Sequence, residues 1–385
     1  MKEKRIVFVV TRYPNQFNKT THVFVKQLVW SLSDIGHQCT VIAPVAVNKD
    51  KLMASLPEEV EEMTEKGNKV TVYFPKYFDF SAYVPVKKMR NRVYTNGFQQ
   101  AVRQCMAAKS IKADLIYGHF ITPAGISAVQ LGKKFALPAF FAYGESTPWS
   151  IESVGRDWAK RKLNSASGVV AVSTQNKKNL VELGLVDESV IKVFPNAVRK
   201  EHFFKRDKQE SRDRFGFREE DFIVAFVGQF NERKGPLRVV QALEGIDGVK
   251  AIFAGSGNQN PESGKTIYAG KVNPNDMPYF LSAADVFVLP TLEEGCCNAI
   301  IEAMACGLPV ISSDRPFNYD ILDQENAILI DPHDISAIRN AVMTIKDNAA
   351  LREKMGEHSL KKAAHLNYDD RAKSIIGWIG QRIDA

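Results

Sequence analysis

"DVFVLPTLEEGCCNAIIEAMACGLPVISS", residues 285–313, decides the fold. An apolar run ends at Pro290. A loop carrying Glu294 and Gly295 follows, then a helical pattern from about Asn298, then a second apolar run after Pro309. Gly307 can end the helix and Pro309 can open the next strand. Short apolar strands buried on both faces and alternating with helices form parallel, doubly wound sheets. Ligands in such sheets bind beyond the carboxyl ends of the strands, so the loop before Asn298 faces a crevice.

The same rhythm runs through the chain. "KRIVFVV" reads as a first strand, followed by a helix over Val23, Leu28, Leu32 and Ile35 that Gly36 stops. "CTVIAP", "ADLIYG", "LPAFFAY" and "SGVVAVS" read as strands, with helices over 123–134 and near 152–165. The second half repeats the pattern with "DFIVAFVG", "VKAIFAG", "KTIYAG", "DVFVLP", "LPVISS" and "NAILI". Its helices are read over about 236–244, 275–283 and 298–306. Two such series in 385 residues mean two Rossmann-like α/β domains. The polar, charged stretch 195–216 suits the join. The expected division is residues 1–200, residues 201–366, and a final helix over 367–385 with Ile375, Ile376, Trp378 and Ile379 to bury. Residues 45–112 are less regular, with an acidic stretch, "PEEVEEMTEK", and an aromatic and basic one.

Composition bounds the rest. Hydrophobic residues make up 45% and charged residues 25% of the chain, a globular balance. The longest apolar runs are strand-sized, too short to span a bilayer, and the basic lead "MKEKR" precedes too short an apolar run for a signal peptide. Five cysteines, an odd number, fit a reducing compartment, so a cytoplasmic location is expected. The net charge of +7 is uneven: residues 1–200 carry +13 and the remainder −6. "KKMRNRVYTNGF", residues 87–98, mixes basic and aromatic residues, as a peripheral contact with anionic lipid does, and as a solvated helix face does equally. No nucleic-acid partner is expected.

The loop at 290–297 offers specific chemistry. Free N–H groups and the helix dipole at a helix start favour an anion such as a diphosphate, and Gly295 lets the backbone approach it. Glu302 lies about one turn into the helix, on the order of 7 Å along the axis from Cys297. That reach fits a ribose whose two hydroxyls donate to the carboxylate, while Glu294 could hold a sugar hydroxyl at the other end. Cys296 and Cys297 are adjacent and Cys306 is distant, so zinc-ligand spacing is absent.

E-G-x-x-N-x-x-x-E-A-x-A-x-G-x-P-V-I, from Glu294 to Ile311, resembles the donor signature of the retaining glycosyltransferases of family 4. "FVGQFNERKG" (226–235), "VFPNAV" (193–198), "AAKSIKADLIYGHFITPAG" (107–125) and "ASGVVAVS" (166–173) are similar to further elements of that family. The resemblance implies the GT-B fold, two Rossmann-like doubly wound domains facing a central cleft, with the last helix crossing back to the N-terminal domain. Lys234 and Arg233 would neutralise the diphosphate. Glu294 would hold donor-sugar hydroxyls and Glu302 the ribose. Gly295 and the backbone N–H groups of Cys296, Cys297 and Asn298 would contact the sugar or diphosphate, and the base would lie near Val272. His119 would face the reacting sugar from the N-terminal domain, as would Gly144 and Glu145 and, in the loop after the first strand, Thr20 and Thr21. His119, Lys234 and Glu294 are thus the expected catalytic residues. Three departures stand out: Gln229 where the family often has arginine, "NQFNKTTHVF" in place of a Gly-Gly loop, and Ala197 in the Pro-Asn-Gly segment.

The implied reaction moves a hexose-type sugar from a nucleotide diphosphate sugar to a saccharide or lipid-linked saccharide acceptor, with retention, in cell-surface polysaccharide or glycolipid synthesis. The chain contains no Asp-x-Asp, so no metal and no cofactor are expected. The rivals are a nucleotide-sugar epimerase, a non-enzymatic glycan- or membrane-binding module, and a nicotinamide-dependent oxidoreductase. The last is suggested only by the G-x-G in "AGSGNQ", residues 254–259, which lacks the third glycine.

Overall fold

The computed structural model describes residues 3–384; Met1, Lys2 and Ala385, the ends of the expected terminal segments, lie outside it. The apolar run from Ile6 to Val9 is buried on both faces, as a central parallel strand requires. The chain divides into two compact units. One runs to Phe194 and takes in the helix that begins at Tyr368; the other is Pro195–Asn367.

The first unit contains β1 (Arg5–Val9), β2 (Gln38–Ile42), β3 (Val45–Ala46), β4 (Glu59–Met63), β5 (Lys69–Tyr73), β6 (Lys76–Tyr77), β7 (Leu115–His119), β8 (Ala139–Tyr143), β9 (Gly168–Ala171) and β10 (Ile191–Val193). Eight of them form one sheet in the order β10-β9-β8-β7-β1-β2-β5-β4, while β3 and β6 pair separately. Only the β4–β5 pair of the large sheet is antiparallel. Chain order reverses at β1, which has β2 on one side and β7 on the other.

The helix Tyr368–Asp384 belongs to this unit. Asp369 and Asp370 stand in its first turn and Arg382 in its last, both in the sense the helix dipole favours. Ala372, Ile375, Ile376 and Ile379 form one buried stripe in the core with Leu28, Val29 and Leu32 of the helix Val23–Asp34. The Trp378 ring meets Phe140 edge-on and also contacts Phe194. Gly168 makes room for it, since a Cβ there would lie 2.6 Å from the indole.

The second unit contains β11 (Phe222–Val227), β12 (Val249–Ala254), β13 (Thr266–Gly270), β14 (Val286–Leu289), β15 (Val310–Ser313) and β16 (Ala327–Ile330). Its sheet is wholly parallel, in the order β13-β12-β11-β14-β15-β16, and reverses between β11 and β14. Asp285, just before β14, accepts from the Ile223 amide at 2.7 Å and from Arg212 at 3.0 Å, and pairs with Lys208. Arg212, on the helix Lys208–Phe215, also donates to the carbonyls of Ala283 and Asp221.

Several expectations are corrected. The helix read near 152–165 is two helices, Trp149–Val154 and Arg156–Leu163, broken at Gly155 with φ +88°. The irregular stretch 45–112 holds the β4–β5 hairpin and a 22-residue helix, Lys87–Ala108. The G-x-G at Gly255 and Gly257 serves close packing. A Cβ on Gly255 would lie 1.9 Å from the Gly228 carbonyl oxygen, and one on Gly257 would lie 2.1 Å from that of Phe230.

Candidate active site

Both sheets place their functional loops at the reversal of strand order, where the connections leave in opposite directions and open a crevice. In the second unit the loop after β11 carries Arg233 and Lys234, and the loop after β14 carries Glu294. The Leu292 amide joins the two loops by donating to the Arg233 carbonyl at 2.8 Å. Gly235 turns the chain into the helix Pro236–Leu243 with φ +74°, and a Cβ there would strike the Arg238 guanidinium. Arg238 is buried and fixes the bend from behind, donating to the carbonyls of Glu232 and Pro290, each at 2.9 Å.

Three charged groups meet in this crevice. Glu294 Oε1 lies 2.5 Å from Lys234 Nζ and 2.6 Å from Arg233 Nη1, and accepts from the Thr291 hydroxyl at 3.2 Å. Lys234 is only 8% exposed, and its stem passes over Gly228. Burial works against its charge, but the Cys297 sulfur and the Glu294 carboxylate outweigh burial and raise its pKa. Burial also holds the Cys297 thiol above its usual range, against the pull of Lys234. The carboxylate is therefore the anion that keeps Lys234 an ammonium at neutral pH. Two cations on one carboxylate leave an excess positive charge, as an incoming diphosphate needs.

The helix Asn298–Ala305 starts at this point with no side-chain cap. The sequence reading valued Cys296 and Cys297 for backbone alone; the structure gives both sulfurs partners. Cys297 Sγ lies 3.8 Å from Lys234 Nζ, and Cys296 Sγ accepts from the Asn196 amide at 3.4 Å. Asn196 also donates to the Cys296 carbonyl at 2.9 Å, which ties the Pro-Asn segment to the Glu294 loop. Gly295 is buried in that loop. One turn on, Glu302 is half-buried without a side-chain partner among the described residues, and burial pushes its carboxyl up to about 7. Val272 stands just beyond β13, half-buried. No three His, Cys, Asp or Glu side chains come together as a metal site among the described residues.

The Glu302 proton has a consequence for stability. The folded state holds it more tightly than the unfolded chain does, so its contribution is fully present below the ordinary glutamate pKa of 4.5 and is lost as pH rises through about 7. Glu145, also raised to about 7 by burial, titrates in the same window. Glu302→Gln is therefore expected to flatten part of the fall in melting temperature across that range, and Glu145→Gln a separate part. A Glu302→Gln profile that tracks the parent's throughout would show that Glu302 is not a titrating group.

In the first unit the loops after β1, β7 and β8 enclose a cavity of about 560 Å³. Arg12, His22, Phe120, Thr122, Glu145 and Trp149 are among its lining residues. Of the residues expected here from sequence, Glu145 lines it and His119, Gly144, Thr20 and Thr21 do not. His119 sits behind Phe120 among aromatic rings, 4.9 Å from Phe120 and 5.3 Å from Phe24 between centroids. Burial, the Arg371 charge and His22 push its pKa down to about 3. A histidine held neutral in this way is no general base near pH 7; its Nδ1 is buried and has no hydrogen-bond partner among the described residues. Gly144 packs against Val172, and Thr20 and Thr21 belong to a turn held by Asn18. Sequence reasoning missed His22 and Arg12. Their one signal was position, in the loop that follows the first strand.

Residues 207–362 match the family model described as glycosyl transferases group 1, and residues 55–202 match that of glycosyltransferase family 4. The chain belongs to the family 4-type glycosyltransferases. This glycosyltransferase is 28% identical to a Bacillus subtilis (strain 168) protein assigned to teichuronic acid biosynthesis as a glycosyltransferase, with 88% of each chain aligned. It is 30% identical over 203 residues, 48% of this chain and 52% of the other, to the Escherichia coli UDP-Gal:alpha-D-GlcNAc-diphosphoundecaprenol alpha-1,3-galactosyltransferase. Sucrose-phosphate synthase from Thermosynechococcus elongatus superposes with a TM-score of 0.76 at 18% identity, covering 99% of this glycosyltransferase and all of that chain. The fold is GT-B, with two Rossmann-like units.

Proposed function

We propose that this glycosyltransferase moves a hexose-type sugar from a nucleoside diphosphate sugar to a hydroxyl of a saccharide or lipid-linked saccharide, with retention and without a divalent cation. The observation that carries the proposal is the convergence of Lys234 and Arg233 on Glu294 at the start of the helix Asn298–Ala305. The bond from the anomeric carbon to the phosphate oxygen breaks, and a bond from that carbon to the acceptor oxygen forms on the same face. The departing phosphate takes the acceptor proton. Lys234 and Arg233 stabilise the charge that grows on the phosphates, which is electrostatic catalysis by preplaced cations. As the phosphate draws them, Glu294 is released to accept from sugar hydroxyls. Glu302 holds the ribose, the amides of Cys296, Cys297 and Asn298 hold the diphosphate and sugar, and the base lies by Val272. The cavity beside Glu145 takes the acceptor, and His119 backs its wall from behind Phe120.

The names of the two relatives support a surface-polymer role, and the E. coli name supports a UDP-sugar donor and a lipid diphosphate acceptor. Five buried free thiols fit the reducing cytoplasmic side.

A thermal-shift screen of nucleoside diphosphate sugars identifies the donor, since a ligand of the folded state raises its melting temperature. Product analysis with an acceptor then reads the anomeric configuration. Transfer is expected to continue in chelator; activity lost in chelator and restored by manganese would overturn the metal-free mechanism. Donor conversion without an acceptor would mean an epimerase. Glycan binding with every nucleotide sugar left intact would mean a binding module.

A further inference from the structure

The first unit exposes a run of large apolar side chains that sugar transfer does not use. Phe78 is 45% exposed, Phe80 63%, Tyr83 74%, Val86 54% and Met89 54%. All five lie within a dozen residues, from the end of β6 through a short turn to the first turn of the helix Lys87–Ala108. The helix buries Thr95, Phe98, Val102 and Cys105 on its core face. Met89 precedes Phe98 by nine residues, two and a half turns, so it points away from that core. Nothing among the described residues of the unit covers these groups, and such a patch on a protein surface marks a contact.

Charge says what kind of contact. Lys87, Lys88 and Arg90 are exposed between Val86 and Asn91, and no carboxylate pairs with them among the described residues. The one acid between Lys76 and Arg92 is Asp79, which is buried, paired with Lys49 and capping the turn that displays Phe80 and Tyr83. Protein interfaces are depleted in lysine at their centres. Aromatic and aliphatic side chains interleaved with unpaired cations suit the headgroup boundary of an anionic bilayer.

We propose that residues 78–90 seat this protein on an anionic lipid bilayer, with Phe80, Tyr83, Val86 and Met89 entering the headgroup boundary and Lys87, Lys88 and Arg90 meeting the lipid charge. No described helix is long and apolar enough to cross a membrane, so the contact is peripheral. Asn91, Tyr94 and Thr95 continue the same helix into the cavity wall, with the exposed Trp149 also lining the cavity. Seating this edge therefore brings the cavity to the membrane surface. The lipid contact stands by itself; delivery of a lipid-linked acceptor to the cavity rests on the transferase reading.

The test is sedimentation of the full chain with phosphatidylcholine vesicles, with and without phosphatidylglycerol. Binding is expected only with phosphatidylglycerol, and it should fall at least about tenfold when salt rises from about 0.1 M to about 1 M. Phe80→Ser/Tyr83→Ser/Met89→Ser and Lys87→Glu/Lys88→Glu/Arg90→Glu are each expected to lose about tenfold or more in binding. Both should keep the parent's melting temperature and its thermal shift with nucleoside diphosphate sugar, a readout that fails separately if the transferase reading is wrong. Equal binding to neutral vesicles, parental binding by either variant, or equally tight binding to a soluble polyanion would overturn the proposal.

Discussion

Lys234→Ala is expected to lower turnover by about 10²–10³-fold while leaving acceptor affinity near its parental value. The physical reason is the position of the ammonium. It is buried in the crevice, 2.5 Å from Glu294, and placed before any substrate arrives. A cation fixed in a low-dielectric site gains most from charge that grows in the transition state, and it needs no rearrangement to do so. Removing it also leaves Glu294 with Arg233 and the Thr291 hydroxyl, so the loop after β14 loses one of the two cations that hold it. Initial rates at saturating donor and acceptor read the effect directly. Near-parental turnover would remove Lys234 from the phosphate role and leave Arg233 as the remaining cation for it.

Asp285→Ala is expected to cost about 3–5 kcal/mol of stability, as removal of one partner of a buried ion pair does. The carboxylate is 7% exposed and receives the Ile223 amide, Arg212 and Lys208. Without it the buried Arg212 keeps only carbonyl partners, and the Ile223 amide at the head of β11 loses its acceptor. At about 2–4 °C per kcal/mol for a unit of this size, the melting temperature should fall on the order of 10 °C. Calorimetry of the parent and variant reads this. Asp285 stands at the amino end of β14 and the Glu294 loop at its carboxyl end, so donor affinity measured well below the transition should not change. A stable variant with weakened donor binding would reverse that assignment.

Much of this molecule was legible because its strands are buried on both faces. "IVFVV" and "VFVL" can be little else, and the turns between such strands and helices point to the crevice. Glu294 and Glu302 were singled out for the same reason, since they flank a helix start, whereas Lys234 was singled out only through the family resemblance. The β4–β5 hairpin was not. "EVEEM" alternates outward glutamates with Val60 and Glu62, and reads as an acidic surface until its partners are known. Glu62 accepts from Tyr13, Lys26 and Trp30, all more than 30 residues away. The helix Lys87–Ala108 was hidden by its basic first turn with the exposed Met89, which blurs the amphipathic period. Thr291 and His22 act through partners that only the fold brings close, and no local pattern announces them; Asn196 stood in a quoted segment, but its bond to the Glu294 loop did not show.

The return of the helix Tyr368–Asp384 to the first core also sets an order of assembly. The ribosome makes Leu28, Phe140 and Phe194 long before Ile375, Ile376 and Trp378, which pack with them. While residues 195–367 are being synthesised, one side of that core has no cover. The second unit is continuous in sequence and can close as soon as Asn367 has emerged. The first unit to be made is thus the last to be finished, and its exposed apolar face is what a nascent-chain chaperone would meet.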